Sequence, residues 1–341
     1  MASKLTAALT ELLACPECGS DLSHHGERLI CANGDHSYIV RNGIPRLFPD
    51  RISPGQQKTA KAFGWEWRHF TELHPEYEEQ FLDWIAPLRR DAFRGRRILD
   101  AGCGIGRHAY YAAAWGAEEV VALDLSDAVE TARRNLEDFP NAYVVQGDLV
   151  CPPLKAAGDG GEGFDIVYSI GVLHHLPDPA AGIRSLVRLV RPGGLMVAWV
   201  YGYEGNLLVR KTVEPLRRVT SKLPPSILRL LTWPLAVILH AVVKLAYGPL
   251  RGRIAGRRLP LGDYLASLAA FGFRQNFSIV FDQLVAPTTT YVRREDLITW
   301  LQSTGLIDVK VTDRNGNSWR GYGRRPGATV ETDSLDAPPT G

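Results

Sequence analysis

Between Arg97 and Tyr201 short apolar runs alternate with longer stretches in which apolar residues recur at helical spacing. Arg97–Ala101, Val120–Asp124, Tyr143–Gln146, Phe164–Ser169 and Leu195–Tyr201 are compact, apolar-rich runs. Each reads as a buried strand. Between them, His108–Trp115, Asp127–Glu137 and Ala180–Val190 read as helices. The second is predicted to be capped by Ser126 or Asp127, and the third to stop at Pro192-Gly193-Gly194. This alternation predicts an α/β domain whose mainly parallel sheet is covered on both faces. After Tyr201 the pattern breaks for about ninety residues, too long for a plain loop. It resumes with a helix at Arg294–Ser303 and strands at Ile307–Thr312 and Ser318–Arg324, seven strands in all.

The chain divides accordingly. Residues 1–50 form one unit, and 51–94 a linker and an aromatic-rich helical extension. Residues 95–201 are the core, 202–290 a helical insertion after the fifth strand, and 291–325 the returning helix and strands. Residues 326–341 lack periodicity and read as a disordered tail.

Composition adds constraints. The 341 residues are 45% hydrophobic and 22% charged with net charge +2, which excludes global disorder and a nucleic-acid coat. No signal-peptide core opens the chain, and five cysteines are too few for a disulfide scaffold. A cytoplasmic setting follows as the expectation. The insertion stands apart: residues 203–260 hold eleven Lys/Arg against Glu204 and Glu214. Inside it Leu230–Val243 is an uncharged run of fourteen residues, too short to span a bilayer. Arg217, Arg218, Lys222 and Arg229 flank it on one side, and Lys244, Arg251, Arg253, Arg257 and Arg258 on the other. Two readings follow: a lid packed on the core, or a peripheral helix resting on an anionic membrane surface.

Cys15-Pro-Glu-Cys18 is followed, after twelve residues, by Cys31 and then His36. This spacing suits a tetrahedral zinc. Four protein ligands leave no open position, so the metal is predicted to be structural.

The chemistry concentrates at Ile98-Leu-Asp100-Ala-Gly102-Cys-Gly104-Ile-Gly106, where a strand ends and a helix opens. Glycines there permit a sharp turn and close approach of a ligand. Asp124 ends the next strand, where a carboxylate can accept ribose hydroxyls. A dinucleotide site spaces its last two glycines two residues apart to bring helix amides onto a pyrophosphate. Here one residue separates them and Asp100 precedes them. S-adenosylmethionine offers an ammonium instead of phosphate, and an acid near the loop suits it.

Asp100–Gly106, Asp124, Gln146-Gly-Asp148-Leu149, the run Phe164–Leu176 and Arg191-Pro-Gly-Gly194 resemble, in order, the motifs of class I methyltransferases, closest to the type 11 subgroup. The resemblance covers residues 95–201 and extends to Arg324. It implies a Rossmann-like fold with a mainly parallel seven-stranded sheet. It also implies that Gly102, Gly104 and Gly106 line the methionine and ribose portion, with Asp100 near the ammonium. Asp124 would hold the ribose, Leu125 the adenine face, Asp148 the adenine amino group, and Leu149 would donate its amide. Ser169, at the end of the fourth strand, is placed with these contacts. The first fifty residues resemble the zinc ribbons of the Trm112-like group through Cys-Pro-x-Cys and Asn42-Gly-Ile-Pro45. They are also similar to the ribbon of a bacterial rRNA guanine methyltransferase family.

His174 lies past the fourth strand, where it could serve as a base or simply shape the loop. The Asn/Asp-Pro-Pro-aromatic tetrad of exocyclic-amine methyltransferases is replaced by Ser169-Ile-Gly-Val, which argues against nucleobase amines. Residues 1–50 carry four basic and six acidic side chains, a poor surface for phosphates, so nucleic acid is an unlikely partner. The expected activity is methyl transfer to a small, hydrophobic or lipid-linked acceptor. An rRNA methyltransferase and a non-catalytic cofactor-binding scaffold are the alternatives.

Overall fold

Two hairpins open the structure. β1 (Leu22–His25) and β2 (Arg28–Cys31) turn at Gly26-Glu27, and β3 (Ser37–Arg41) and β4 (Ile44–Leu47) at Asn42-Gly43. Asn42 and Gly43 have φ of 56° and 73°. These left-handed values form the turn whose twist matches a hairpin and which selects Asn-Gly. A short helix α1 (Ala7–Leu12) precedes the hairpins, and α2 (Pro54–His69) and α3 (Glu76–Trp84) follow. The computed structural model describes residues 6–158, 162–250, 253, 259 and 261–327. Arg251, Arg257, Arg258 and residues 328–341 of the expected tail lie outside the described residues.

The core runs β5 (Arg97–Ala101), α4 (Arg107–Ala114), β6 (Glu119–Asp124), α5 (Val129–Asn135), β7 (Ala142–Gly147), β8 (Phe164–Ile170), α6 (Pro179–Val187) and β9 (Val190–Tyr201). Ile98, Leu99 and the whole run Val120–Leu123 are fully buried, since parallel strands are covered on both faces. Two boundaries differ from expectation. α5 begins at Val129, because Ser126 spends its hydroxyl accepting the Ala128 N–H ahead of the helix. The helix expected to reach Val190 ends at Val187, and Pro192-Gly193-Gly194 lies inside β9. Val190 pairs with Phe164 and Leu195 with Ile166, so Arg191–Gly194 bulge from the ladder, where a proline needs no partner.

The insertion contributes α7 (Leu207–Thr220), α8 (Pro225–Val242), α9 (Gly262–Leu268) and α10 (Phe273–Val285); α11 (Arg294–Gln302), β10 (Ile307–Arg314) and β11 (Ser318–Arg324) complete the core. The strands form one sheet in the order β1-β2-β3-β4-β7-β6-β5-β8-β9-β11-β10. Of the seven core strands β5–β11 only β11 runs against the rest; it lies antiparallel to both β9 and β10. The ribbon is not a separate bead. β4 lies parallel to β7 through Arg46↔Gln146 and Leu47↔Gly147, which satisfies the core's open edge and makes the sheet eleven-stranded. The insertion and α2 share a smaller core of their own, built on Phe70, Leu228, Ala236, Phe277, Phe281 and Leu284.

Candidate active site

The loop after β5 is held by two amides on one carbonyl: Gly102 and Cys103 both donate to the Leu123 oxygen, at 2.7 and 3.0 Å. Gly102 has φ +90°, and a Cβ there would lie 2.4 Å from Val172 Cγ2, so only glycine fits. Gly104 donates its N–H to Asp124 Oδ2 at 2.9 Å and faces Trp67. Gly106 opens α4 and packs against Ala132, away from the ligand side.

A cavity of about 490 Å³ opens over the carboxyl ends of the strands. It brings together Gly102, Gly104, Asp124, Leu125, Asp148 and Leu149. Asp124 Oδ1 accepts from Ser126 N and Oγ, both at 2.7 Å. With Gly104, three of roughly four lone-pair sites are taken, leaving one for a ligand hydroxyl. Burial pushes the Asp124 carboxyl up, and the Ser126 and Gly104 donors oppose it. Asp148 accepts from Val150 N and from Gln56 Nε2, each at 2.9 Å, so α2 is tied to the adenine end of the expected site. Glycine-lined backbone, a carboxylate at the end of β6 and a second at the end of β7 fit a nucleoside bearing a short polar tail.

Besides Gly106, three expected contacts do not face the cavity. Asp100 is fully buried beneath the loop; Oδ2 accepts the Ala109 N–H at 3.0 Å and burial pushes its carboxyl up to about 8. A neutral acid sealed under α4 braces the loop instead of meeting an ammonium. Ser169 donates to the Ala101 oxygen at 2.8 Å, pinning β8 to β5. His174 is wholly buried, its ring tilted against Tyr201 with centroids 4.1 Å apart and its pKa pushed well down by burial. Of the adjacent pair it is His175 that lines the cavity, together with His108 from α4. His175 Nδ1 donates to the Thr288 oxygen at 2.7 Å, and burial lowers its pKa to about 4. In the sequence the two are adjacent and alike; the short helical turn at Leu173–His175 decides which one faces inward.

Other cavity residues had weaker signals. Arg107 sits 5.0 to 5.6 Å from the rings of Trp67, Tyr77 and Trp84, a cation within an aromatic wall. Trp67 belongs to an aromatic run visible in the sequence, whereas Arg68 beside it is exposed and lies 3.8 Å from Asp127. Tyr201, Tyr264, Asp282 and Tyr291 line the far side. Tyr264 and Asp282 lie in the insertion and Tyr291 just after it, where no motif pointed to them.

Cys15, Cys18, Cys31 and His36 place their ligand atoms within 4.8 Å of one another. Cys18 and Cys31 sulfurs are 3.4 Å apart, and Cys15 Sγ is 3.7 Å from His36 Nδ1. Bonds of about 2.0–2.3 Å to a tetrahedral zinc imply separations of about 3.5–3.8 Å, so the donor set suits that ion. Tyr38 Oη lies 3.1 Å from Cys15 Sγ and can donate to a thiolate. His24 and His25 are exposed on β1, outside the cluster.

Residues 99–198 match the type 11 family described as a methyltransferase domain. The chain is 34% identical over 140 residues to a tRNA U34 carboxymethyltransferase of Saccharophagus degradans, covering 40% of this chain and 41% of that protein. It is 38% identical over 134 residues to a ubiquinone biosynthesis O-methyltransferase of Thiobacillus denitrificans, covering 37% and 54% respectively. The chain thus spans about half the length of these curated relatives. A solved DhpI–SAH complex superposes with TM-score 0.47 at 16% identity, over 82% of this chain and 100% of that one. The core is a methyltransferase domain on an α/β sheet, and the relatives, named for different acceptors, leave the acceptor open.

Proposed function

We propose that the protein is an S-adenosylmethionine-dependent methyltransferase of a small apolar acceptor, with a structural zinc in its ribbon and an acceptor lid formed by α7–α10. One observation carries this reading: a single cavity joins Gly102, Gly104, Asp124 and Asp148 to apolar walls supplied by the insertion, among them Leu216, Leu235, Leu265 and Ile279. The cofactor supplies an activated methyl group. The chain's own work is to align a nucleophile with it and exclude water, and an apolar lid does both. Calorimetry tests the reading. The protein is expected to bind S-adenosylmethionine, and Asp124→Ala to weaken binding about tenfold or more, as loss of a hydrogen bond to a charged group implies. No cofactor heat with the unmutated protein would falsify it. Binding without label transfer to any extract fraction would favour the scaffold reading.

A lipid-linked acceptor is favoured over RNA by the outer surface of the lid. Thirteen of the fifteen exposed large apolar side chains among the described residues lie between Leu207 and Leu245, and all of these but Leu216 and Leu235 lie outside the cavity. Arg210, Lys211, Arg218, Lys222, Arg229 and Lys244 lie among them. Basic side chains beside exposed Leu, Ile and Trp match anionic headgroups over acyl chains; phosphates of RNA would leave the apolar half wet. The helical stretch Pro225–Leu250 is long and apolar enough to cross a membrane, unlike its fourteen-residue uncharged run alone. One stripe of it, Leu228, Thr232, Ala236 and Val243, is however buried in the protein, which suits a helix lying in the interface. Co-sedimentation with anionic but not neutral vesicles, lost at high salt, is the expected result. Equal recovery in the supernatant with both would leave a packed lid.

A further inference from the structure

The far wall of the cavity carries a one-way chain of hydrogen bonds. Arg217 on α7 is 4% exposed and donates Nη2–H to Gln283 Oε1 at 3.0 Å and Nε–H to the Gln283 carbonyl at 2.7 Å. Arginine has donors only, so Gln283 must turn its Nε2 outward, where it donates to Tyr201 Oη at 3.0 Å. Tyr201, its oxygen so occupied, donates its own proton to Asp282 Oδ2 at 3.2 Å. The order of donors ends on Asp282 as a pure acceptor. Among the described residues its other oxygen, Oδ1, makes no hydrogen bond, and Asp282 lines the cavity.

A second acid stands behind it. Glu66 on α2 is fully buried, accepts only from Ser278 Oγ at 3.2 Å, and leaves Oε2 without a partner. Burial first, then the nearby Asp282 charge, hold Glu66 well above the ordinary carboxylate range. Burial also raises Asp282, with Arg217, the Tyr201 hydroxyl and Arg107 partly opposing the rise. Glu66 is sealed behind, and Asp282, where the chain of donors ends, is the acid that faces the cavity. Around it the walls are apolar: Leu216, Leu239, Leu265, Leu268 and Ile279.

We propose that Asp282 is the acceptor-binding carboxylate: it recognises a hydroxyl on an otherwise apolar molecule and takes its proton during methyl transfer. This rests on the methyltransferase reading for the second step but not for the first. The acceptor O–H donates to Asp282 Oδ1. A lone pair of the acceptor's hydroxyl oxygen forms a bond to the methyl carbon as the carbon–sulfur bond breaks, its electron pair going to sulfur and leaving a neutral thioether. The hydroxyl proton passes to Asp282, which later yields it to water. Charge balances, since a sulfonium and a carboxylate become a thioether and a carboxylic acid. His174 has no part in this, and its ring packs against Tyr201.

Para-dodecylphenol and its methyl ether, para-dodecylanisole, test the site, with binding read by tryptophan fluorescence, since Trp67, Trp84 and Trp199 line the cavity. The phenol is expected to bind about tenfold or more tightly than the ether, as a hydrogen bond to a charged group implies. Asp282→Asn should erase that preference while calorimetry with S-adenosylmethionine is unaffected, and Asp282→Glu should restore part of it. Where labelled methyl reaches the phenol, Asp282→Asn should slow it about a hundredfold or more, the scale of a lost general base. Equal binding of phenol and ether by the unmutated protein, or no binding of the phenol, overturns the proposal, and so does a preference that survives Asp282→Asn. That comparison in the unmutated protein decides even if the variant fails to fold. Selective phenol binding without cofactor binding would sink the methyltransferase reading and leave this site standing.

Discussion

The ribbon and the insertion are both additions to one sheet, and they are attached by different forces. The ribbon joins through its backbone, with β4 extending the ladder beside β7. Side chains reinforce the seam: Arg46 reaches both Gln146 and Glu130. The insertion adds helices that pack through apolar side chains on α2 and on one another. Backbone pairing satisfies polar groups directionally and leaves little apolar surface over, so Ile39 is the ribbon's one exposed large apolar residue among those described. Helix packing buries one stripe per helix and leaves the opposite side of α8 apolar and uncovered. The two attachments suit different tasks: a fixed edge beside Asp148, and a helical cover over the acceptor end proposed above.

The largest expected effect is on the ribbon. Cys15→Ser removes one ligand of the proposed zinc, whose binding is worth about 10–16 kcal/mol in small zinc domains. Elemental analysis should show zinc lost, and amide exchange should rise in β4 and in β7, its partner. Full zinc retention, or exchange confined to residues before Ile44, would mean that the seam does not depend on the metal.

Next comes the inner face of the insertion. Phe281 is fully buried against Trp65 and Phe70, with ring centroids 5.3 and 6.0 Å away. Phe281→Ala should cost about 3–5 kcal/mol, with the loss felt in α8 and α10 and not in the ribbon. A denaturation midpoint unchanged by this substitution would contradict the packing described.

Asp100, under the loop between the two additions, makes stability depend on pH. Its carboxyl rises from 3.8 to about 8 on folding. Between those values the folded protein keeps a proton that the unfolded chain has released, so this contribution is lost as pH rises from 3.8 towards 8. Asp100→Asn should flatten that slope. Parallel stability curves for the two proteins would rule the linkage out.

The smallest effect on stability is expected on the outer face of α8. Leu230 and Ile238 are 75% and 61% exposed, so replacing both by Glu should change stability by about 0.5 kcal/mol or less. The same change should abolish vesicle binding. A large loss of stability would show that this face is covered within the protein itself.

Sequence periodicity sufficed for the seven-stranded core because each strand buries both faces and each helix one, and those demands repeat at fixed intervals. The glycines, Asp124 and Asp148 were legible for a similar local reason: a strand end, a tight turn and a carboxylate are set by neighbours in the chain. So was the cluster of Cys15, Cys18, Cys31 and His36, whose spacing is itself the constraint. Which histidine of an adjacent pair faces inward, and that Asp100 is sealed away, depended on a turn of a few residues packing against β9 and α4. The pairing of β4 with β7, a hundred residues apart, leaves no periodic mark in either strand. The chain from Arg217 through Gln283 and Tyr201 to Asp282 joins three elements by side-chain geometry alone. Local chemistry can be read along the chain, but a site assembled from distant segments exists only where packing brings their polar atoms within hydrogen-bonding distance.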